Sequence, residues 1–266
     1  MTQSQTLDGR LFSLVRAFWL DLEKALRAWG AAPALPIVSA VLGLLTELSS
    51  IAEPGLHAAA PGVPWFALLT FISWPFLLFW TGWLGTQRLW YLRIFRGQKL
   101  SAPEAWRLSR HYLGRFLVLG LIVGLPISAL IFAVIVREAQ TAADTGAVTP
   151  SQLPGWTTGV FLAYWFAMDV LLTFVTPALA YTTRHVREAI AIGWSMLRTT
   201  WPRCAVYALL PPLTLVAFAT YNPSAVSPLG LFVISVMSTL LGLVTKGAIA
   251  SFYIDHGPGV IDPMTQ

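Results

Sequence analysis

Asp169 and Lys246 are the two residues whose chemistry fits least with their surroundings. Asp169 stands in VFLAYWFAMDVLLTF and Lys246 in LLGLVTKGAIASF, runs that carry no other charge. An ionisable group in the middle of a hydrocarbon layer costs about 2.5–3.5 kcal/mol on insertion scales, so it is either satisfied structurally or kept for a function. Asp169 therefore has two readings: a protonated, hydrogen-bonded structural carboxyl, or a group that handles a proton or a substrate. Lys246 is its partner by sign. Asp169 lies fifteen residues before Arg184 and Lys246 nine before Asp255. At about 1.5 Å per helical residue their depths differ by roughly 9 Å. That offset favours Lys246 snorkelling to the cytoplasmic interface, with a direct pair as the alternative. Glu47, near the outer end of an apolar run, is expected at the interface.

Other chemistry is missing. His57, His111, His185 and His256 fall in connections, elbows or the tail, so no two of them face each other across the bundle to hold a haem. Zinc-ligand spacing, a phosphate-cradling glycine loop and a nucleophile elbow do not occur either. Asp255-His256 is one adjacent pair in a Gly/Pro-rich tail and reads as a solvated end. No catalytic site and no cofactor are expected. The single cysteine, Cys204, excludes an internal disulfide.

The elements that must position Asp169 and Lys246 are apolar helices. Of the 266 residues 56% are hydrophobic and 11% charged, and the mean hydropathy is +0.67, far from soluble averages. A span needs roughly 20 apolar residues with closed backbone hydrogen bonding. Six runs meet this: 34–52, 64–92, 113–136, 156–182, 204–220 and 228–254. The expected fold is an all-α integral membrane bundle of six transmembrane helices, a single domain over 1–266 with no room for a separate soluble core. The N-terminal segment is interrupted by Arg16, Asp21, Glu23, Lys24 and Arg27 and does not read as a signal peptide.

Basic residues choose the orientation. They cluster before the first run, between the second and third, and between the fourth and fifth, whereas the opposite connections carry only Arg137. This bias puts both termini and both basic connections in the cytoplasm, in the inner membrane of the cell. The net charge of +5 then reflects topology rather than nucleic-acid binding, for which no motif is present. Arg107, Arg110, Arg187 and Arg198 are the candidate contacts to anionic phospholipid head groups.

The basic connections are amphipathic. Val186, Ile190, Trp194, Leu197 and Trp201 recur at helical spacing, as do Ala105, Leu108, Tyr112 and Phe116 after a Ser101/Glu104 capping box, and Leu11, Leu14, Phe18, Leu22, Ala25 and Trp29 near the start. Such helices lie in the interface as elbows. Glu23 and Arg27 are spaced for a helical ion pair. Elbow, outward span and inward span make three units, 8–92, 101–182 and 184–254, related either by a true repeat or by shared hairpin pattern.

Small residues mark helix-packing ridges: Gly120, Gly124 and Ser128 on the third run, Ser238 and Gly242 on the sixth. They serve packing within the chain or a contact with a partner or second copy. Pro126, Pro211 and Pro212 are expected to kink their helices. Trp65, Trp156, Trp90, Trp106, Trp194 and Trp201 read as interfacial belts. Trp74, Trp80, Trp83 and Trp165 lie deeper, where they pack on neighbours or cover a bound lipid or pigment.

The segment TPALAYTTRHVREAIAIGWSMLRTTWPR, 176–203, resembles the helix-elbow-helix of bacterial six-helix polytopic membrane proteins of largely unknown function, similar to the membrane domain associated with glycerophosphodiester phosphodiesterases. Pro177, Glu188, Ala189, Trp194 and Trp201 occupy its proline, Glu-Ala and aromatic positions. The resemblance covers about a tenth of the chain and implies a fold of six helices with elbows. Hydrolysis does not carry over, because the soluble catalytic barrel is absent. The function expected is a non-catalytic scaffold or accessory subunit beside a membrane-protein partner or a second copy. The alternative is a small transporter or lipid-handling protein using Asp169.

Overall fold

The structure is a computed structural model that describes residues 4–46, 65–145, 155–219 and 228–259. Among them are nine α-helices: α1 (Ser4–Ala31), α2 (Ala34–Thr46), α3 (Trp65–Phe95), α4 (Ala102–Thr145), α5 (Gly155–Leu172), α6 (Val175–Tyr181), α7 (Val186–Thr199), α8 (Ala205–Ala219) and α9 (Pro228–His256). Glu47 and His57 lie outside the described residues, as do the side chains of Trp65 and Trp74.

The expectation of six transmembrane helices is overturned. Among the described residues two helices are long and apolar enough to cross a membrane, Pro103–Arg137 and Phe232–His256, or four if each of two bent pairs is one span. Over the described residues α2 runs for 13 residues and α8 for 15, about 20 and 22 Å against the roughly 30 Å of hydrocarbon. A bend of 96° separates α1 from α2, and one of 42° divides α5 from α6. The first follows from Pro33, whose ring blocks continuation of α1.

A second difference concerns the elbows. The expected elbow at 101–112 and the span after it form one helix of 44 residues, α4, which continues through Pro126. At about 1.5 Å per residue it is more than twice the thickness of the hydrocarbon core, so one end stands clear of it. The Ser101 backbone N–H and hydroxyl both donate to Glu104 Oε2, at 2.9 and 2.7 Å, which is the returning half of the expected capping box. Glu104 also pairs with Arg93 across the α3–α4 turn at 3.6 Å. Arg27 and Glu23 form the expected ion pair on α1.

The helical stripes turn inward. Ala105, Leu108, Tyr112 and Phe116 of α4, and Phe18 and Ala25 of α1, are buried against the bundle. In α7 the buried face is Ala189, Gly193, Met196 and Leu197, leaving Ile190, Trp194 and the following Trp201 exposed. Phe12, Val15, Trp19 and Trp106 are exposed as well. An apolar surface of this extent is a lipid-facing one rather than a solvated one.

Helices α3 and α4 pack along much of their length, α9 packs on α1, α2 and α3, and α5 on α8. The α3–α4 seam is set by Gly82 and Gly85: a Cβ on the first would run into the Ser109 carbonyl, and on the second into the Tyr112 ring. Four buried tyrosines tie neighbouring segments together. Tyr91 donates to the Leu243 carbonyl, Tyr112 to that of Ala180 and Tyr181 to that of Arg88, while Tyr253 and Thr182 share a hydroxyl contact. Each ring supplies apolar area and each hydroxyl finds a partner, as a buried phenol requires.

Candidate functional site

Helices α3, α5, α8 and α9 surround a cavity of about 350 Å³ whose polar lining includes Arg88, Asp169, Lys246 and Trp165. Asp169 and Lys246, placed at different depths by counting residues along straight helices, face the same space. The 42° break that starts just after Leu172, three residues past Asp169, is where the straight-helix count fails. Asp169 is exposed, so the cavity is open on its side. Its carboxylate is within electrostatic reach of Lys246 first and Arg88 second, but no ion pair joins it to either among the described residues.

Lys246 is turned across the bundle. Its Nζ donates to Gln87 Oε1 at 3.4 Å and lies 5.5 Å from the centre of the Trp80 ring. Gln87 in turn donates to Ser39 Oγ at 2.9 Å, which also accepts from Trp83 Nε1 at 3.0 Å. This chain links α9 to α2 through α3. A cation over an indole face is stabilised by the ring quadrupole.

Arg88 is the residue that counting along the chain passed over. It lies inside the apolar run 64–92, close to the basic connection that follows. That position, an arginine within an expected span, is the signal that could have singled it out. It is 6% exposed, and its Nε and Nη1 have no hydrogen-bond partner among the described residues. Trp165 Nε1 is likewise buried without one.

Three threonine hydroxyls around the cavity are already engaged. Thr173 donates to the Asp169 carbonyl at 2.9 Å, Thr245 to that of Gly242 at 2.9 Å and Thr214 to that of Pro211 at 2.6 Å. The open hydrogen-bonding capacity sits on the donors of Arg88 and Trp165 and on the Asp169 carboxylate and Ser238 hydroxyl, with Lys246 only weakly held. Two cations face one carboxylate, leaving the lining with an excess of positive charge.

The other sequence-selected residues lie elsewhere, apart from Ser238 and Gly242, which line the cavity. Gly120 and Ser128 are exposed and Gly124 half-buried on α4, and a Cβ at Gly120, Gly124 or Gly242 would meet nothing within 4 Å. Arg107, Arg110, Arg187 and Arg198 are all exposed. No group of three or more His, Cys, Asp or Glu that could hold a metal occurs among the described residues.

The chain matches no family model, no curated protein and no solved structure. It is a multi-helical, membrane-associated protein with membrane-spanning and amphipathic helices in general contact with lipid.

Proposed function

We propose that this is a small transport or lipid-handling protein of the cytoplasmic membrane, with the cavity between α3, α5, α8 and α9 as its working part. The observation that carries the reading is the convergence of Arg88, Asp169 and Lys246 on one space that is open at Asp169. Burying charges away from water is costly unless they are paired, and a bundle that needed only to pack would fill the space with apolar side chains. Kinship with the membrane domain associated with glycerophosphodiester phosphodiesterases is proposed on the segment 176–203 alone.

Purification of the full chain in mild detergent followed by native mass spectrometry tests the reading. The expected result is a small molecule retained in fixed ratio, its retention changed by about tenfold in Asp169→Asn or Lys246→Gln in the direction set by the ligand's charge, since a buried charge contact contributes about 1.5–3 kcal/mol. Equal retention by wild type and both variants would remove the cavity from the function.

A second reading, an accessory subunit of a membrane complex, is favoured by a different observation. The Gly120, Gly124 and Ser128 ridge of α4 faces outward with open space before it, and such ridges admit close approach of another helix. A protein partner co-purifying in fixed ratio, or a homodimer lost on Gly120→Leu, would support it.

The proposed orientation has both termini in the cytoplasm. Cys204 is buried, so the native chain offers little background to an impermeant thiol reagent. Cysteine placed at Arg187 is expected to label only after the membrane is opened, and cysteine at Arg137 in intact cells. The reverse pattern would invert the protein.

A further inference from the structure

We infer that the cavity takes an oxyanion, a phosphodiester or carboxylate head group or free phosphate, with Arg88 as its principal ligand. The inference rests on the cavity reading above and names the ligand class. Its basis is the kind of atom left open. Arg88 Nε, Arg88 Nη1 and Trp165 Nε1 are buried without a partner, and all three are donors: guanidinium and indole carry no acceptor. Lys246, in the same lining, is also donor-only and has one long bond, at 3.4 Å to Gln87. A cation or a donor-rich solute satisfies none of them.

Charge gives the same answer independently. Arg88 and Lys246 face the space with Asp169 as the only carboxylate in its lining among the described residues, so one negative charge brings the site to neutrality. Asp169 is within electrostatic reach of both Lys246 and Arg88, and a single carboxylate balances only one of the two cations. An anion there forms charge-assisted hydrogen bonds in a desolvated setting, where they are strongest. Leu84, Leu172, Leu241 and Ile249 form the apolar part of the lining, a surface suited to the first methylenes of an acyl chain.

The test uses the delipidated full chain in neutral detergent. Its probes are phosphatidylglycerol in mixed micelles, read by native mass spectrometry, and inorganic phosphate, read by tryptophan emission. Saturable binding of one anion per chain is expected, weakened about 10- to 100-fold by Arg88→Gln, the range for losing charge-assisted hydrogen bonds in a buried site. Dependence on Arg88 separates the cavity from lipid held by the exposed arginines. Asp169→Asn removes the repelling charge and should tighten binding about 3- to 10-fold, a direction that simple destabilisation would not produce.

Binding of phosphate and lipid alike supports a free oxyanion as the natural ligand, and binding of the lipid alone an amphiphile. Where Arg88→Gln does not yield monodisperse protein, Lys246→Gln and Asp169→Asn carry the test, with opposite signs expected. The inference is overturned if neither anion binds saturably, or if Asp169→Asn weakens the anion as the arginine variant does. A neutral or cationic molecule retained through Asp169 would overturn the anion while leaving the cavity as the working part. Retention of nothing in any form would remove both.

Discussion

Gly82→Leu is expected to abolish recovery of monodisperse, folded protein. Any Cβ at Gly82 would strike the Ser109 carbonyl oxygen and come within 2.9 Å of its carbon, and Cα of Leu113 is 3.5 Å away. These are backbone atoms of α4, which cannot swing aside as a side chain can. Overpacking a well-filled core costs about 1–3 kcal/mol when side chains absorb the strain; here the helices themselves must separate, and the loss should exceed that range. Separation would also break the contact between the Thr86 and Ser109 hydroxyls, at 3.0 Å, and lift Tyr112 from the Ala180 carbonyl. Loss would thus spread from the α3–α4 seam to α6, beside the cavity. Size-exclusion profile and thermal midpoint in detergent are the measurements. Gly120→Leu is the control, with no atom within 4 Å of the added carbon, and should keep the wild-type midpoint. An unchanged midpoint for Gly82→Leu would mean that the seam is not close-packed.

What the sequence made legible follows from which signals are local. Helical periodicity is local, and the stripes at Phe18 and Ala25 and at Ala105, Leu108, Tyr112 and Phe116 are apolar faces in the structure. The partner of a stripe is not local: these faces meet other helices, whereas the lipid-facing surface is made by Trp19, Trp106 and Trp194 beside them. Span counting failed for a related reason. An apolar run of sufficient length does not reveal whether the helix stays straight, and the Thr173–Phe174 break divides the run 156–182, which reads as continuous.

Asp169 and Lys246 stood out because each is a lone charge in an apolar run. Arg88 did not, because Arg93 and Arg96 follow it closely and the cluster reads as topogenic. The close-packing glycines were passed over for their spacing. Gly82 and Gly85 are three apart, and the four-residue small-xxx-small rule points instead to Gly120 and Gly124, where nothing packs among the described residues. The tyrosines offered no signal, since a phenol hydroxyl aimed at a carbonyl on another helix depends on tertiary placement.

Asp21→Ala is expected to lower stability by on the order of 3 kcal/mol, because the carboxylate joins three helices and hydrogen bonds to a charged group contribute about 1.5–3 kcal/mol. Along the chain Asp21 reads as part of the charged face of α1. In the structure it is half-buried: its Oδ2 accepts from Tyr207 of α8 and its Oδ1 from Ser251 of α9 at 2.7 Å. Lys24 Nζ donates to the same Ser251 hydroxyl at 2.9 Å and lies 4.7 Å from the centre of the Phe95 ring. Truncation leaves the fully buried Ser251 hydroxyl with no carboxylate to receive its proton. It also leaves the Tyr207 hydroxyl open while the ring stays wedged between Phe18 and Phe252, at 4.9 and 4.5 Å between centres. Tyr207→Phe keeps that aromatic packing and loses one bond, so it should cost about 1.5 kcal/mol. Asp21→Asn, which can still accept from one hydroxyl, should fall between the two. Thermal midpoints in one detergent order the three variants. Equal midpoints for wild type and Asp21→Ala would show that apolar packing alone holds α1 to α8 and α9. The predicted order would show that the carboxylate clamps the packing of α1 on α9, the helix that carries Lys246 to the cavity.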